Sequence, residues 1–323
     1  MRTRLFMTMA AATLVLASCG SDDHEVIDTW NGEIRLHSGV ETQQLTRGIG
    51  TDLQGTQIAD GNHVGFFIND AVTDGAVSTD LDYTANGTGG FNGTAVYYPQ
   101  SGNSVNIYAY APWKTGLTLD GTYAFSVQTD QSADAGYLAS DLLWGQPMKL
   151  QAGSTTDYES ANPVARSKNA VNVSFTHLLS KIEVTLIPGD GLTANDFKGA
   201  TLKILNVLPG TNLTLNSGTI SAASGNATDI TAATYSSDVT ALTAAAIIVP
   251  QPIASEAKFL QVHLTTGGDL FYTLPSDAAL TLESGKIYKY EITVKLTGLT
   301  VTSGISPWQT IGANPIEGNA VMD

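Results

Sequence analysis

The chain has 323 residues, with 15 Lys+Arg against 30 Asp+Glu and a formal net charge of -15. That balance excludes the basic face that nucleic-acid phosphates demand and argues against binding acidic polymers. It suits a soluble, self-repelling surface protein. Charged residues make up only 14%, and Thr, Ser, Gly, Ala, Val and Asn dominate, the composition of many short strands joined by tight turns.

At the N-terminus, Arg2 and Arg4 precede an apolar run from Leu5 to Ala17. This is a charged leader and hydrophobic core of secretory length. It is shorter than the roughly 20 residues of a membrane-spanning helix. Leu16-Ala17-Ser18-Cys19 looks like a lipobox, so residues 1–18 are expected to be a removed signal peptide and Cys19 the lipidated mature N-terminus. Multiple acylation makes such an anchor durable, since one chain binds only marginally. Cys19 is the only cysteine in the chain, which leaves no disulfide within it. Gly20 to Glu25 forms an acidic tether. It reads either as a plain solvated linker or as a segment resembling the surface-export signal of some Gram-negative lipoproteins.

Further along, Glu33-Ile34-Arg35-Leu36 alternates like a paired strand. Val105, Ile107 and Ala109 repeat the period of two, as do Val171, Val173 and Phe175. Ile182, Val184 and Leu186 alternate with Lys181, Glu183 and Thr185, predicting one buried and one wet face. Thr193 to Lys198 allows one helical turn, and the alanines from Ala241 to Ala246 lead into Ile247-Ile248-Val249-Pro250, which reads as extended. Leu260, Val262 and Leu264, a Gly267-Gly268 turn, then Leu270, Tyr272 and Leu274 predict a β-hairpin. The clearest strand is the last: Tyr288, Tyr290, Ile292, Val294 and Leu296 alternate with Lys289, Glu291, Thr293 and Lys295. No window sustains a helical apolar stripe for three turns, so the class is mostly β, built as sandwiches. About 300 residues remain after the signal, enough for two domains. Gln151 to Asn169 is polar and aperiodic, a linker or long surface loop that divides residues 48–165 from 166–323, with a break after Leu186-Ile187-Pro188-Gly189 as the alternative.

Catalytic signatures are missing. No Gly-x-Ser-x-Gly elbow and no phosphate-cradling Gly-x-x-x-x-Gly-Lys-Ser/Thr loop occurs. His24, His37, His63, His177 and His263 show no metal-ligand spacing, and no metal or cofactor is expected. His177 continues a strand face and reads as a satisfied sheet residue. Asp80-Leu81-Asp82 and the stretch Asp130 to Asp134 sit in polar loops. They lack the ligand ladder of a calcium loop, and a glycosidase pair cannot be recognised without geometry. Tyr97, Tyr98, Tyr108, Tyr110 and Trp113 are candidates for stacking on glycans, with packing between sheets as the favoured alternative. An enzyme is not expected.

Several phrases together resemble the fimbrillin family, the lipoprotein pilins of type V pili. They are Gly61-Asn62-His63-Val64-Gly65-Phe66-Phe67-Ile68, Tyr97-Tyr98-Pro99 with Ile107-Tyr108-Ala109-Tyr110-Ala111-Pro112-Trp113, and Asp141-Leu142-Leu143-Trp144-Gly145. Phe175-Thr176-His177-Leu178-Leu179-Ser180-Lys181-Ile182 and Lys286-Ile287-Tyr288-Lys289-Tyr290 complete the set. Their order runs from the lipobox almost to the C-terminus.

The resemblance implies two β-sandwich domains of transthyretin-like topology, 48–165 and 166–323, and a structural role in a cell-surface fimbria that supports adhesion. It also implies export to the outer membrane as a lipoprotein. A trypsin-like or Arg-specific protease then removes residues 19–47, and a strand from another fimbrial subunit takes the vacated groove. Leu45-Thr46-Arg47-Gly48 resembles the cleavage site, placing the cut between Arg47 and Gly48. Arg35 is a poorer candidate because it lies inside an alternating, sheet-like run. The donor segment is expected in 298–323, with Leu299, Val301, Ile305 and Trp308 as the inserting side chains. Four such side chains are worth about 6–12 kcal/mol gross, before ordering costs. Head-to-tail insertion does not close on itself and yields a filament. After Ile311 the tail is polar and broken by Pro315, which leaves stalk, tip and anchor roles open. Adhesion implies a host or bacterial surface receptor as a further partner. The rival readings are a monomeric glycan-binding surface lipoprotein and a lipid-anchored hydrolase.

Overall fold

The computed structural model describes residues 30–40, 58–153, 158–238, 241–265, 267–277, 279–295, 298–308 and 316–319. Met1–Asn31 and Gly32–Asp323 are separate units, and the fold described is that of the second. Cys19, Arg47, Gly48 and Ile311 lie outside the described residues.

Almost everything described is strand and turn, as the alternating pattern predicts. The first sheet has eight strands. Its main path runs Leu36–Val40, Val171–His177, Leu143–Leu150, Val105–Ala111, His63–Asp70, Ala76–Ala85 and Phe91–Asn92, and Tyr158–Ser160 pairs with Leu143–Leu150 off this path. Leu36–Val40 lies parallel to Val171–His177, and the other pairs are antiparallel. His63–Asp70 is buried along nearly its whole length. Phe66 faces one side, where it meets Tyr83 and Phe91 edge-on at 5.4 and 5.1 Å. Phe67 faces the other and stacks on Tyr110 at 5.8 Å.

The second sheet has six strands in the order Ala233–Asp238, Ala241–Ile248, Ser180–Pro188, Lys286–Lys295, Gly298–Pro307 and Ile316–Asn319. A four-stranded sheet (Thr228–Thr231, Thr201–Val207, Lys258–Leu264, Gly268–Thr273) supplies a facing layer. Phe259 and Tyr272 from it meet Tyr290 from the second sheet, each at 6.0 Å. The predicted hairpin is present, with Gly268 at φ +78° in its turn, a conformation that glycine adopts without steric cost. Thr122–Ser126 crosses over to pair with Gly210–Thr214 from the later part of the chain.

Thr193 caps a single 3-10 turn, Ala194–Phe197, through a reciprocal box with Asp196. The alanine-rich run is a strand, as expected. A six-residue helix, Asp134–Ala139, was not predicted. It is too short to carry an apolar period, and only Tyr137 of it is buried. Part of the aperiodic stretch between Gln151 and Asn169 is docked on the first sheet. Asn162 accepts from the Ile107 amide (3.0 Å) and donates to the Ile107 carbonyl (2.9 Å), and Val164 exchanges backbone hydrogen bonds with Val105.

Two expectations are corrected. Asp80-Leu81-Asp82 lies within the strand Ala76–Ala85 and not in a polar loop. The alternate face of Ser180–Pro188 is not wet, because Lys181 and Glu183 are 2% and 5% exposed and form an ion pair of 2.9 Å. This strand is central in its sheet, and Trp308 packs over Lys181. Opposite charges two residues apart on one strand face are the signal that could have revealed the pair.

Candidate functional site

Residues 32–40 form a stave with partners on both sides. On one side Leu36 to Val40 run in parallel register with Val171 to Phe175. The Val171 amide donates to the Arg35 carbonyl at 2.7 Å. On the other side the Ile34 amide donates to Val96 (2.8 Å), the Ser38 amide to Gly89 (2.6 Å), and the Tyr98 amide to Gly32 (2.9 Å). Isolated bridges join Glu33 to Tyr97 and His37 to Gly90. The stave thus joins the two ends of the first sheet, a strand end at Val171–His177 and the segment that follows Ala76–Ala85.

Side chains alternate along it. Ile34 and Ser38 are buried, at 4% and 1% exposure, whereas Arg35 and His37 point to solvent. The Ser38 hydroxyl donates to the Gly89 carbonyl at 3.3 Å. Gly89 sits at φ +90°, and a Cβ there would collide with the His37 ring. The slot is narrow at this point. Arg35, the poorer cleavage candidate, has its carbonyl held in the sheet, a bad conformation for a protease substrate.

Three of the four donor candidates lie in the chain's own core. Gly298–Pro307 pairs along ten positions with Lys286–Lys295 and on its outer side with Ile316–Asn319. Leu299, Val301 and Trp308 are buried, but Ile305 is 40% exposed. The Trp308 amide closes the strand by donating to Gly285 at 2.7 Å. Its ring lies on His177, which is buried and bonded through Nδ1 to Asp141 at 2.8 Å. His177 is a satisfied sheet residue, as its strand position predicts.

The five aromatic candidates do not form one surface. Tyr98 and Tyr110 are buried, Tyr108 and Trp113 are half-buried, and Tyr97 is 45% exposed. Tyr108 leans on Trp144 at 6.4 Å. Tyr110 and Trp113 instead converge on Asp80, an arrangement that sequence reasoning missed. Asp80 Oδ1 accepts from the Tyr110 hydroxyl (2.5 Å) and Trp113 Nε1 (3.1 Å), and Oδ2 accepts from the amides of Gly116 (2.7 Å) and Leu117 (3.1 Å). Burial, then the bond to Asp80, pushes the Tyr110 hydroxyl far above the ordinary phenol range. Asp82 is 2.7 Å from His63 Nδ1, so the two acids are engaged with different partners. Asp130 caps Ser132, whose hydrogen bonds hold its carboxyl below the usual range.

A cleft of about 570 Å³ lies beside this hub, lined by His63, Pro112, Trp113, Leu138 and Asp141 among others. Among the described residues no group of three or more His, Cys, Asp or Glu could hold a metal. Among them, too, no helix is long and apolar enough to cross a membrane.

The fimbrillin-like family model matches residues 46–308. The "Putative fimbrium subunit Fim1C" of Bacteroides uniformis is 25% identical over 336 residues, spanning 99% of this chain and 100% of that protein. Two crystal structures, each of a "putative cell adhesion protein", share the fold. The one from Bacteroides uniformis has a TM-score of 0.63 at 20% identity, covering 86% of this chain and 98% of the other. The one from Bacteroides ovatus has a TM-score of 0.61 at 18% identity, covering 87% and 99%.

Proposed function

From the premise that the chain belongs to the fimbrillin-like family, we propose that it is a structural, non-enzymatic subunit of a cell-surface fimbria that supports adhesion. In this reading it is exported to the outer membrane as a lipoprotein acylated at Cys19. A trypsin-like or Arg-specific protease cuts between Arg47 and Gly48, and a strand from another subunit replaces the lost segment.

The observation that carries the reading is the double-sided pairing of residues 32–40. Arg47 lies seven residues beyond Val40. A cut there detaches the whole stave and leaves two unpaired backbone edges facing one slot, a template for an incoming strand. The sites where Ile34 and Ser38 were buried open with it.

Mass spectrometry of the N-terminus of surface-released protein tests this. The expected mature form starts at Gly48 and runs as a heat-sensitive ladder on gels. Arg47→Ala is expected to retain acylated Cys19 and to abolish the ladder. An unchanged N-terminus and unchanged assembly in Arg47→Ala would overturn the proposal.

A further inference from the structure

The chain passes from the first sheet to the second at Leu178-Leu179, between Val171–His177 and Ser180–Pro188. Two packed halves joined at one such crossing ordinarily move relative to each other. Residues 122–131 act against that. They leave the first sheet after Val105–Ala111, lie along the later half of the chain, and return through Asp134–Ala139 to Leu143–Leu150. Thr122–Ser126 has no place in the first sheet. It pairs with Gly210–Thr214 at five positions, from Thr122 with Thr214 to Ser126 with Gly210. The Val127 amide then donates to Pro209 at 3.0 Å. Tyr123 and Phe125 turn inward, each 6% exposed, and Tyr123 meets Tyr110 of the first sheet at 5.6 Å.

Gln131 anchors the end of this excursion. It is 0% exposed and reaches both layers of the later half. Its backbone amide donates to the Thr231 carbonyl (2.9 Å), and the Thr231 amide donates to Thr129 (2.8 Å), which extends the four-stranded sheet by a short parallel bridge. Its side chain meets the second sheet. Nε2 donates to the Ile247 carbonyl and Oε1 accepts from the Ile247 amide, both at 2.8 Å. Ala241–Ile248 has Ala233–Asp238 as its outer neighbour only as far as Ala245. At Ile247 the carboxamide therefore stands in for the missing strand, since it carries a donor and an acceptor as a peptide group does. An apolar side chain here would leave both Ile247 groups buried and unpaired. Trp144 of the first sheet adds a second tie. Its Nε1 donates to the Leu215 carbonyl at 2.7 Å, and Gly218 lies so close to the indole that a Cβ would collide with it.

We propose that residues 122–131 are a strap, locked by Gln131, that makes the two halves one mechanical unit. Tension on the subunit is borne by both halves together, and neither yields alone. The tension, pulling along a filament, rests on the fimbrial reading; the strap does not depend on it.

Hydrogen exchange through a urea titration of the full chain tests this, with Val105–Ala111 reporting on the first sheet and Lys258–Leu264 on the four-stranded sheet. The expected result is one shared midpoint, the mark of a single cooperative transition. Gln131→Ala is expected to part the two midpoints by about 1 M urea, whereas Gln128→Ala, at an exposed position of the strap, keeps them together. Separate midpoints in the unmodified chain overturn the strap, and a shared midpoint in Gln131→Ala overturns its lock. Extension of the unmodified chain by its ends in optical tweezers needs no variant to fold. One rupture that releases both halves is expected, and two successive ruptures overturn the proposal. Neither measurement involves assembly. Failure of the processed chain to form a gel ladder would sink the fimbrial reading and leave the strap standing.

Discussion

The indole of Trp308 lies flat on the imidazole of His177, with ring centroids 4.2 Å apart and planes inclined by 6°. The residue that follows Gly298–Pro307 therefore caps a buried His177–Asp141 pair, of which His177 belongs to the first sheet. It holds the strand from beyond its last ladder pair, Lys286 with Pro307. Trp308→Ala is expected to cost about 3–5 kcal/mol and to speed hydrogen exchange along 298–307. Trp308→Phe is expected to keep much of the packing. Chemical denaturation with exchange mass spectrometry checks both, and unchanged exchange in Trp308→Ala would refute the clasp.

Glu183 pairs with the buried Lys181 at 2.9 Å, and it also faces Lys289 at 3.7 Å. Removing it by Glu183→Ala breaks a buried ion pair, a loss of about 3–5 kcal/mol. Replacing both residues with apolar ones of similar volume, Lys181→Met with Glu183→Leu, is expected to recover most of that loss. A double-mutant cycle in urea measures the difference. Additive losses would show that the two groups are independent.

Asp80 ties Ala76–Ala85 to Tyr110 of Val105–Ala111 with one hydrogen bond and to the loop after that strand with three, at a backbone φ of +48°. Hydrogen bonds to a charged acceptor are worth about 1.5–3 kcal/mol, so Asp80→Ala is expected to destabilise by at least that much. Trp113 reports the change directly, since its Nε1–H loses its acceptor. A red-shifted, more quenchable tryptophan emission is expected, and an unchanged Trp113 signal would argue that the loop is held by other contacts.

Alkaline stability follows from the buried phenols. Burial pushes Tyr123 up to about 12 and raises Tyr110 and Tyr290 in the same direction. In the unfolded chain these groups ionise near pH 10. Above that pH the folded state retains protons that the unfolded state has lost, so unfolding becomes easier as pH rises. For Tyr123 the loss runs from about pH 10 to about pH 12, at up to about 1.4 kcal/mol per pH unit. Unfolding midpoints measured across this range should fall, and Tyr123→Phe should flatten the slope. An equal slope in wild type and Tyr123→Phe would exclude this tyrosine as a cause.

What the chain's residues determine locally was legible without a structure. Period two located Val171–His177, Ser180–Pro188, Lys286–Lys295 and the Gly268 hairpin, because a strand's alternation is written in neighbouring residues. The phrases around Asp141 and His177 pointed to the family that the profile match establishes. The Thr193 turn was also visible, since its capping partner is three residues away.

Only the tertiary structure decided which side chains meet. Asp80 and Trp113 are 33 residues apart, and Trp308 and His177 are 131 apart in number. No local pattern encodes such pairs. The wet face expected for Lys181 and Glu183 is dry because a residue near the C-terminus packs over it. Likewise, alternation marked Glu33 to Leu36 as strand, but not that it runs parallel to Val171–His177 and is bonded on both sides. Local sequence specifies the conformation of a segment. Its partners depend on the space left by every other segment, and that is settled only when the sheets pack.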